Sequence, residues 1–270
     1  MIKPTQLLAM SWRLAKSVLV SQERPAFRAF HGLFADKIGL EIGGPSSVFR
    51  ARDILPVYPW AARVDGVNFA TTTLWEGEIR EGMTYRYAGR RVGRQYVGEA
   101  SHLGQIADGT YDFVLSSHSL EHSANPIKCL AEWIRVLRPG GAMLLLLPDA
   151  RFTFDHRRPV TSFEHLLDDY RNDTGEDDLT HLDEILALHD LARDPGALGA
   201  DNFRARSLRN FENRALHQHV FDAALVEQLL HHFGIRPLYT DAAPPFHLIA
   251  LGTTARNGSD ACTPSSPQAR

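Results

Sequence analysis

Residues Tyr111–Pro148 read YDFVLSSHSLEHSANPIKCLAEWIRVLRPGGAMLLLLP. Tyr111–Ser117 is a short apolar run with the composition of a buried strand, and Ala142–Leu147 is apolar without interruption. Continuous rather than alternating apolarity marks a parallel strand covered on both faces. Between them Asn125 can cap a helix and Pro126 suits its first turn. Ile127, Leu130, Ala131, Ile134 and Leu137 then form one helical face, and Pro139-Gly140-Gly141 stops it. Strand, helix, strand in that order implies a right-handed crossover between parallel neighbours, the unit of an open α/β sheet.

Working outward, Ile38–Gly43 reads as an earlier strand ending in glycines, Ala62–Asp65 as a second and Arg94–Glu99 as a third. Beyond Pro148 the strand pattern lapses until about Val220. Thr161–Glu164 spell a capping box ahead of Phe163, Leu166, Leu167 and Tyr170, and a second helix runs from about Leu179 to Leu191. Asp222 caps a further helix lined by Leu225, Leu229 and Phe233 and ended by Gly234. Ile235–Thr240 and Phe246–Leu251 complete the strands. The expected organisation is an N-terminal helical cap over 1–35, one α/β domain over 36–254 with a helical insertion at about 151–220, and a disordered Ser/Pro/Gly-rich tail over 255–270.

Composition narrows the function classes. Hydrophobic residues make up 44% and charged residues 23% of 270, which suits one globular core. Cys129 and Cys262 are too few for a disulfide framework or a multi-cysteine zinc site and suit a reducing, cytoplasmic setting. A net charge of −3 supplies no field for nucleic acid, so no nucleic-acid partner is expected. Arg86, Arg90, Arg91 and Arg94 alternate with Tyr85, Tyr87 and Tyr96, and Gly89 and Gly93 make this a hairpin rather than a single-strand platform. Leu7, Met10, Leu14 and Val18 fall at helical spacing, but Arg13 and Lys16 interrupt any signal or membrane span.

Two constellations carry chemistry. Glu41-Ile42-Gly43-Gly44-Pro45-Ser46 closes the first strand, where glycines admit a ligand against backbone as strand turns to helix. Asp65 follows 24 positions on, at the expected end of the second strand, where a carboxylate can accept from both hydroxyls of a ribose. The glycines do not complete G-x-G-x-x-G, nor is there a Gly-Lys-Ser/Thr ending, so a nucleoside without a pyrophosphate fits better than a dinucleotide.

Taken in order, Glu41-Ile-Gly-Gly44, Asp65, Gly98-Glu99-Ala100, Tyr111–His122 and Leu137-Arg-Pro-Gly-Gly141 resemble class I S-adenosylmethionine-dependent methyltransferases, nearest their small-molecule and quinone-type branch. The resemblance implies a doubly wound, mostly parallel seven-stranded sheet of order 3-2-1-4-5-7-6, with S-adenosyl-L-methionine as cofactor. It places Glu41, Gly43 and Gly44 beside the methionine portion, Asp65 on the ribose, Glu99 and Ala100 around the adenine, and Ser116 against the cofactor after the fourth strand. Pro45 and Ser47 stand where that family has its later glycines, and Glu99 where aspartate is commoner.

Methyl transfer needs positioning, and a base only where the nucleophile loses a proton. His118, just past the fourth strand, and His156 are the candidate bases. Glu121 and His122 read as scaffold. Arg151 and Asp155, where the insertion opens, are candidates for an anionic or sugar-like acceptor. His118 and His122 have the spacing of two metal ligands, but with no H-E-x-x-H and no clear third ligand no metal site is expected. The sequence therefore suggests methyl transfer to an oxygen or nitrogen of a small molecule. The rivals are a catalytically silent cofactor-binding module acting through a partner, and a nicotinamide-dependent oxidoreductase.

Overall fold

A computed structural model describes residues 22–89 and 91–256. The expected helix over 7–18, Arg90, Cys262 and the tail beyond 256 lie outside the described residues.

Eight strands form the main sheet: β1 (Ile38–Ile42), β2 (Arg63–Asn68), β3 (Gly82–Ala88), β4 (Arg91–Val97), β5 (Tyr111–Ser117), β6 (Leu137–Pro148), β7 (Arg236–Ala243) and β8 (His247–Thr253). Their order is β3-β4-β2-β1-β5-β6-β8-β7. The pairs β4–β2, β2–β1, β1–β5 and β5–β6 are parallel, whereas β8 runs antiparallel to both β6 and β7. Within this lies the expected 3-2-1-4-5-7-6 order, with one strand more than the seven expected. The addition is β3, which pairs antiparallel with β4 as the first arm of the Arg/Tyr hairpin.

The continuous apolar run of β6 works as predicted. Met143, Leu145 and Leu147 enter one core, while Ala142, Leu144 and Leu146 enter the other. On the first face lie α1 (Pro126–Val136), capped by Asn125 Oδ1 on the Lys128 N–H at 3.1 Å, and α6 (Ala223–His232), capped by Asp222 on Leu225 at 2.8 Å. Ile127, Leu130, Trp133, Leu225 and Leu229 bury this face.

The second face is covered differently from the first. Among the described residues it carries no α-helix: a 3-10 helix at Pro25–Leu33, irregular chain at 49–61 and the β3 tyrosines cover it. β1 is followed only by a three-residue 3-10 turn at Ser47–Phe49, not by the expected helix. Pro45, Pro56 and Pro59 remove amide donors along this connection and forbid a long helix there.

Four short helices occupy the insertion: α2 (Phe163–Arg171), α3 (Leu182–Leu188), α4 (Ala200–Ser207) and α5 (Asn210–Asn213). The cap of α2 is Ser162, whose hydroxyl accepts from the His165 N–H at 3.1 Å, so the Thr161 capping box is corrected by one residue. Ala255, placed by sequence in the tail, still contacts the sheet through Gly140 N–H to its carbonyl at 3.0 Å. No helix among the described residues is long and apolar enough to cross a membrane.

Candidate active site

The carboxyl ends of β1, β2, β4 and β5 open into a cavity of about 360 Å³. Crevices at this edge of an open α/β sheet are where such folds bind ligands. Gly43, at the end of β1, has φ +76°, and a Cβ there would lie 2.2 Å from Ser119 Oγ. Only glycine satisfies both constraints.

Glu41 lies one layer behind. It is fully buried and accepts from Tyr58 Oη at 2.6 Å, Tyr85 Oη at 2.7 Å and the Ser46 N–H at 2.8 Å. Burial raises its pKa, against the pull of those donors. Its carboxyl thereby fixes the 43–46 turn rather than meeting a ligand. Gly44 packs on that carboxyl and lines a neighbouring cavity.

The position of Asp65 is corrected. β2 does not end there but continues through Gly66 to Asn68, because the Tyr85 ring lies where a Gly66 side chain would be, 2.2 Å from a notional Cβ. Asp65 sits mid-strand outside the cavity lining. It accepts from the Arg94 N–H at 2.7 Å and Tyr111 Oη at 2.9 Å and pairs with Arg63 Nε at 2.9 Å. Asn68 takes the strand end. Its Nδ2 donates to the Gly44 carbonyl at 3.0 Å, while its buried Oδ1 accepts nothing and the residue lines the cavity. An unsatisfied buried acceptor at this place fits a ribose hydroxyl.

Glu99 and Ala100, just after β4, line the cavity. Burial raises the Glu99 pKa and Arg214 opposes it. Arg214 comes from the insertion, is buried, and bridges Glu99 and Glu176 at 2.7 Å each, with its guanidinium 5.1 Å from the Phe69 ring centroid. The insertion thus closes over the cavity through a residue that sequence reading overlooked. Ser116 is buried within β5 and its hydroxyl has no partner, while Ser117 is the residue on the cavity wall.

His118 lines the cavity in a left-handed conformation, φ +51°. Its Nε2 lies 2.8 Å from Nδ1 of His247, the first residue of β8, and its Nδ1 faces Glu121 Oε1 at 3.5 Å. Burial and His118 together lower the His247 pKa to about 4. His122, read as scaffold, also lines the cavity; burial and neighbouring His217 lower its pKa to about 4. Glu121 is fully buried; burial opposes its charge, yet the surrounding imidazoles hold its pKa below the usual value. Behind it His217 Nδ1 donates to Asp155 at 2.5 Å, and Arg158 donates to the same carboxylate at 3.1 Å. Burial works to lower the His217 pKa, but Asp155 reverses the sign.

The remaining substrate-side residues are not brought together. Arg151 is 73% exposed at its side chain and pairs with Asp149 at 2.6 Å. His156 Nε2 pairs with Asp190 at 2.9 Å, and neither Arg151, Asp155 nor His156 lines the cavity. Asn68 was legible only if the strand was carried through a glycine. The Arg214 bridge and the His118–His247 pair, 129 positions apart, had no local signal.

Residues 60–145 match a family model described as a methyltransferase domain. No curated protein matches the chain. Among solved structures, an S-adenosylmethionine-dependent methyltransferase from Listeria monocytogenes is similar at 17% identity and a TM-score of 0.50, covering 89% of this chain and 99% of its own. One from Mesorhizobium loti is similar at 12% identity and a TM-score of 0.49, covering 86% and 97%. The Burkholderia thailandensis 1,6-didemethyltoxoflavin-N1-methyltransferase is similar at 14% and 0.45, covering 94% and 92%. The match over residues 60–145 and the observed strand order agree with the methyltransferase-type α/β fold expected from the sequence.

Proposed function

We propose that the chain transfers a methyl group from S-adenosylmethionine to an oxygen or nitrogen of a small molecule, with His118 as the base where the nucleophile must lose a proton. The observation that carries the reading is the cavity at the carboxyl ends of β1, β2, β4 and β5, with Asn68 Oδ1 unsatisfied on one wall and His118 on another. Asn68 and Glu99 would hold the nucleoside portion, and the Gly43 turn the amino-acid portion. S-adenosylmethionine supplies a methyl carbon already activated by its sulfonium. The chain's own task is to exclude water, orient the acceptor and take up its proton. His118 suits the last role, since its imidazole lines the cavity and His247 and Glu121 hold the ring in place.

Arg151 is occupied by Asp149, and Asp155 by His217 and Arg158. These pairings lend no support to the narrower anionic or sugar-like acceptor. The nicotinamide reading loses its physical basis as well. A pyrophosphate is held at the N-terminus of the helix after the first strand, and only a three-residue turn stands there.

Calorimetry with S-adenosylhomocysteine and with NAD tests the cofactor reading: saturable binding of the first and none of the second is expected, and the reverse overturns it. Radiolabelled methyl transfer to a panel of small hydroxyl and amine compounds then separates an enzyme from a silent binding module.

A further inference from the structure

Away from the cavity, the insertion gathers a second cluster that methyl transfer does not use. His165 and Asp169 lie one turn apart on α2, His181 stands at the N-cap position of α3, and His219 lies on the irregular chain leading to α6. Their free atoms converge. His165 Nε2 lies 3.0 Å from His181 Nε2 and 3.4 Å from Asp169 Oδ2, and His219 Nε2 lies 3.6 Å from the same carboxylate oxygen. The three imidazoles place one nitrogen each within 4.8 Å of the others.

We propose that His165, His181, His219 and Asp169 form a structural zinc site. Zinc–nitrogen and zinc–oxygen bonds of about 2.0–2.1 Å in a tetrahedron imply edges of about 3.3 Å between ligand atoms. Three of the six separations, 3.0 Å between His165 and His181 and 3.4 and 3.6 Å from Asp169 Oδ2 to His165 and His219, lie near that value, and the three imidazole nitrogens lie within 4.8 Å of one another. Three nitrogens and one carboxylate oxygen are a donor set suited to zinc.

A second observation comes from hydrogen bonding. Asp169 Oδ2 is buried and accepts no hydrogen bond, whereas its Oδ1 accepts from Thr174 Oγ1 at 3.2 Å. Thr174 therefore fixes the carboxylate and leaves its other oxygen aimed at the three imidazoles, as the outer partners of metal ligands do. His219 is 1% exposed, and the partner of its Nε2 is the Ala124 carbonyl at 3.4 Å, beyond good hydrogen-bond length. A buried carboxylate oxygen left without a donor beside three imidazoles is costly without an ion.

The placement gives the site a task. Zinc here ties α2, α3 and the 214–219 segment, which carries Arg214 to the cavity wall and His217 to Asp155 behind it, and whose His219 N–H donates to the Glu121 carbonyl at 3.2 Å. The cross-link holds the cover of the methyl-transfer cavity in place without touching a ligand there.

Elemental analysis of the purified full chain, dialysed free of loose metal, tests this. About one zinc per chain is expected, together with a lower melting temperature in EDTA and recovery on adding zinc sulfate. His181→Ala should abolish the stoichiometric zinc, while His122→Gln, in the separate Glu121–His122–His217 group, should keep it. Should His181→Ala fail to fold, His165→Cys loaded with cobalt decides: a sulfur-to-cobalt charge-transfer band places the metal at this cluster, and a spectrum without one overturns the site. Absence of zinc with no response of melting temperature to zinc sulfate also overturns it, as does loss of zinc in His122→Gln with retention in His181→Ala.

Discussion

Arg214 reaches across 115 positions of sequence to place its Nη2 2.7 Å from the Glu99 carboxylate, while its Nη1 holds Glu176. One buried cation therefore joins the insertion, the loop after α2 and the end of β4. Removing it strands two carboxylates in a partly desolvated place. Arg214→Ala is expected to lower the free energy of unfolding by about 2–4 kcal/mol, less than a wholly buried pair would lose because Glu99 is partly exposed. Affinity for S-adenosylhomocysteine should fall about tenfold or more in the same protein. Urea denaturation and calorimetry check the two; an unchanged affinity would detach the strap from the cavity's function.

Asp65 and Asn68 divide roles that the sequence assigned to Asp65 alone. Asp65→Ala leaves Tyr111 Oη and the Arg94 N–H without their acceptor, so it should cost about 1–3 kcal/mol of stability and spare the affinity of the folded protein. Asn68→Ala should do the opposite at the cavity, weakening S-adenosylhomocysteine by about tenfold with one ribose partner gone. If the Asp65 variant alone loses cofactor, the ribose lies on the other side of β2.

His118→Ala is expected to slow turnover by about a hundredfold with a hydroxyl acceptor while leaving S-adenosylhomocysteine affinity intact. His156→Ala, whose ring is engaged by Asp190 away from the cavity, should retain near-normal turnover. Steady-state kinetics on both variants distinguishes them, and the reverse ranking would relocate the acceptor.

Stability should depend on pH through imidazoles held neutral. His122 and His247, with pKa values lowered to about 4, take up protons in the unfolded chain near pH 6.5 but in the folded one only near pH 4. Between these values the unfolded state binds more protons, so stability is full above pH 6.5 and declines as pH falls towards 4. Each contributes at most about 1.4 kcal/mol per pH unit, and His247 less because it is only partly buried. His217, shifted upward by Asp155, has its effect above pH 6.5 and does not cancel this decline. Denaturation midpoints of His247→Gln should fall less steeply over the same range; an identical slope would show that His247 does not contribute.

What could be read without coordinates follows the range of the forces involved. The Tyr111–Pro148 unit was legible because its determinants are local: Asn125 caps and Leu144–Leu147 are buried on both faces, though the helix ends at Val136 and β6 already begins at Leu137, before Pro139-Gly140-Gly141. β3 was legible as one arm of a hairpin but not as an added strand of the main sheet, since Gly82–Ala88 is a half-exposed edge strand whose Tyr85 and Tyr87 are buried and whose Arg86 is exposed. Gly43, Glu99, Ala100 and His118 line the cavity because they sit at or just after strand ends, which is where their local sequence puts them. Arg151 and His156 misled because a charged residue near a strand end takes the nearest carboxylate, here Asp149 and Asp190. The zinc-site histidines gave one local hint, the one-turn spacing of His165 and Asp169; their convergence with His181 and His219 is purely tertiary.

The position of β8 between β6 and β7 also sets the order in which a growing chain can finish folding. Leu144–Leu147 emerge about a hundred residues before their antiparallel partners Leu248–Leu251. Until those arrive, β6 presents a run of leucines with one row of amides and carbonyls unpaired, the template on which another chain can add. Ribosome-stalled or C-terminally shortened products ending before His247 are therefore the forms most exposed to aggregation and chaperone capture, whatever the state of the cofactor cavity.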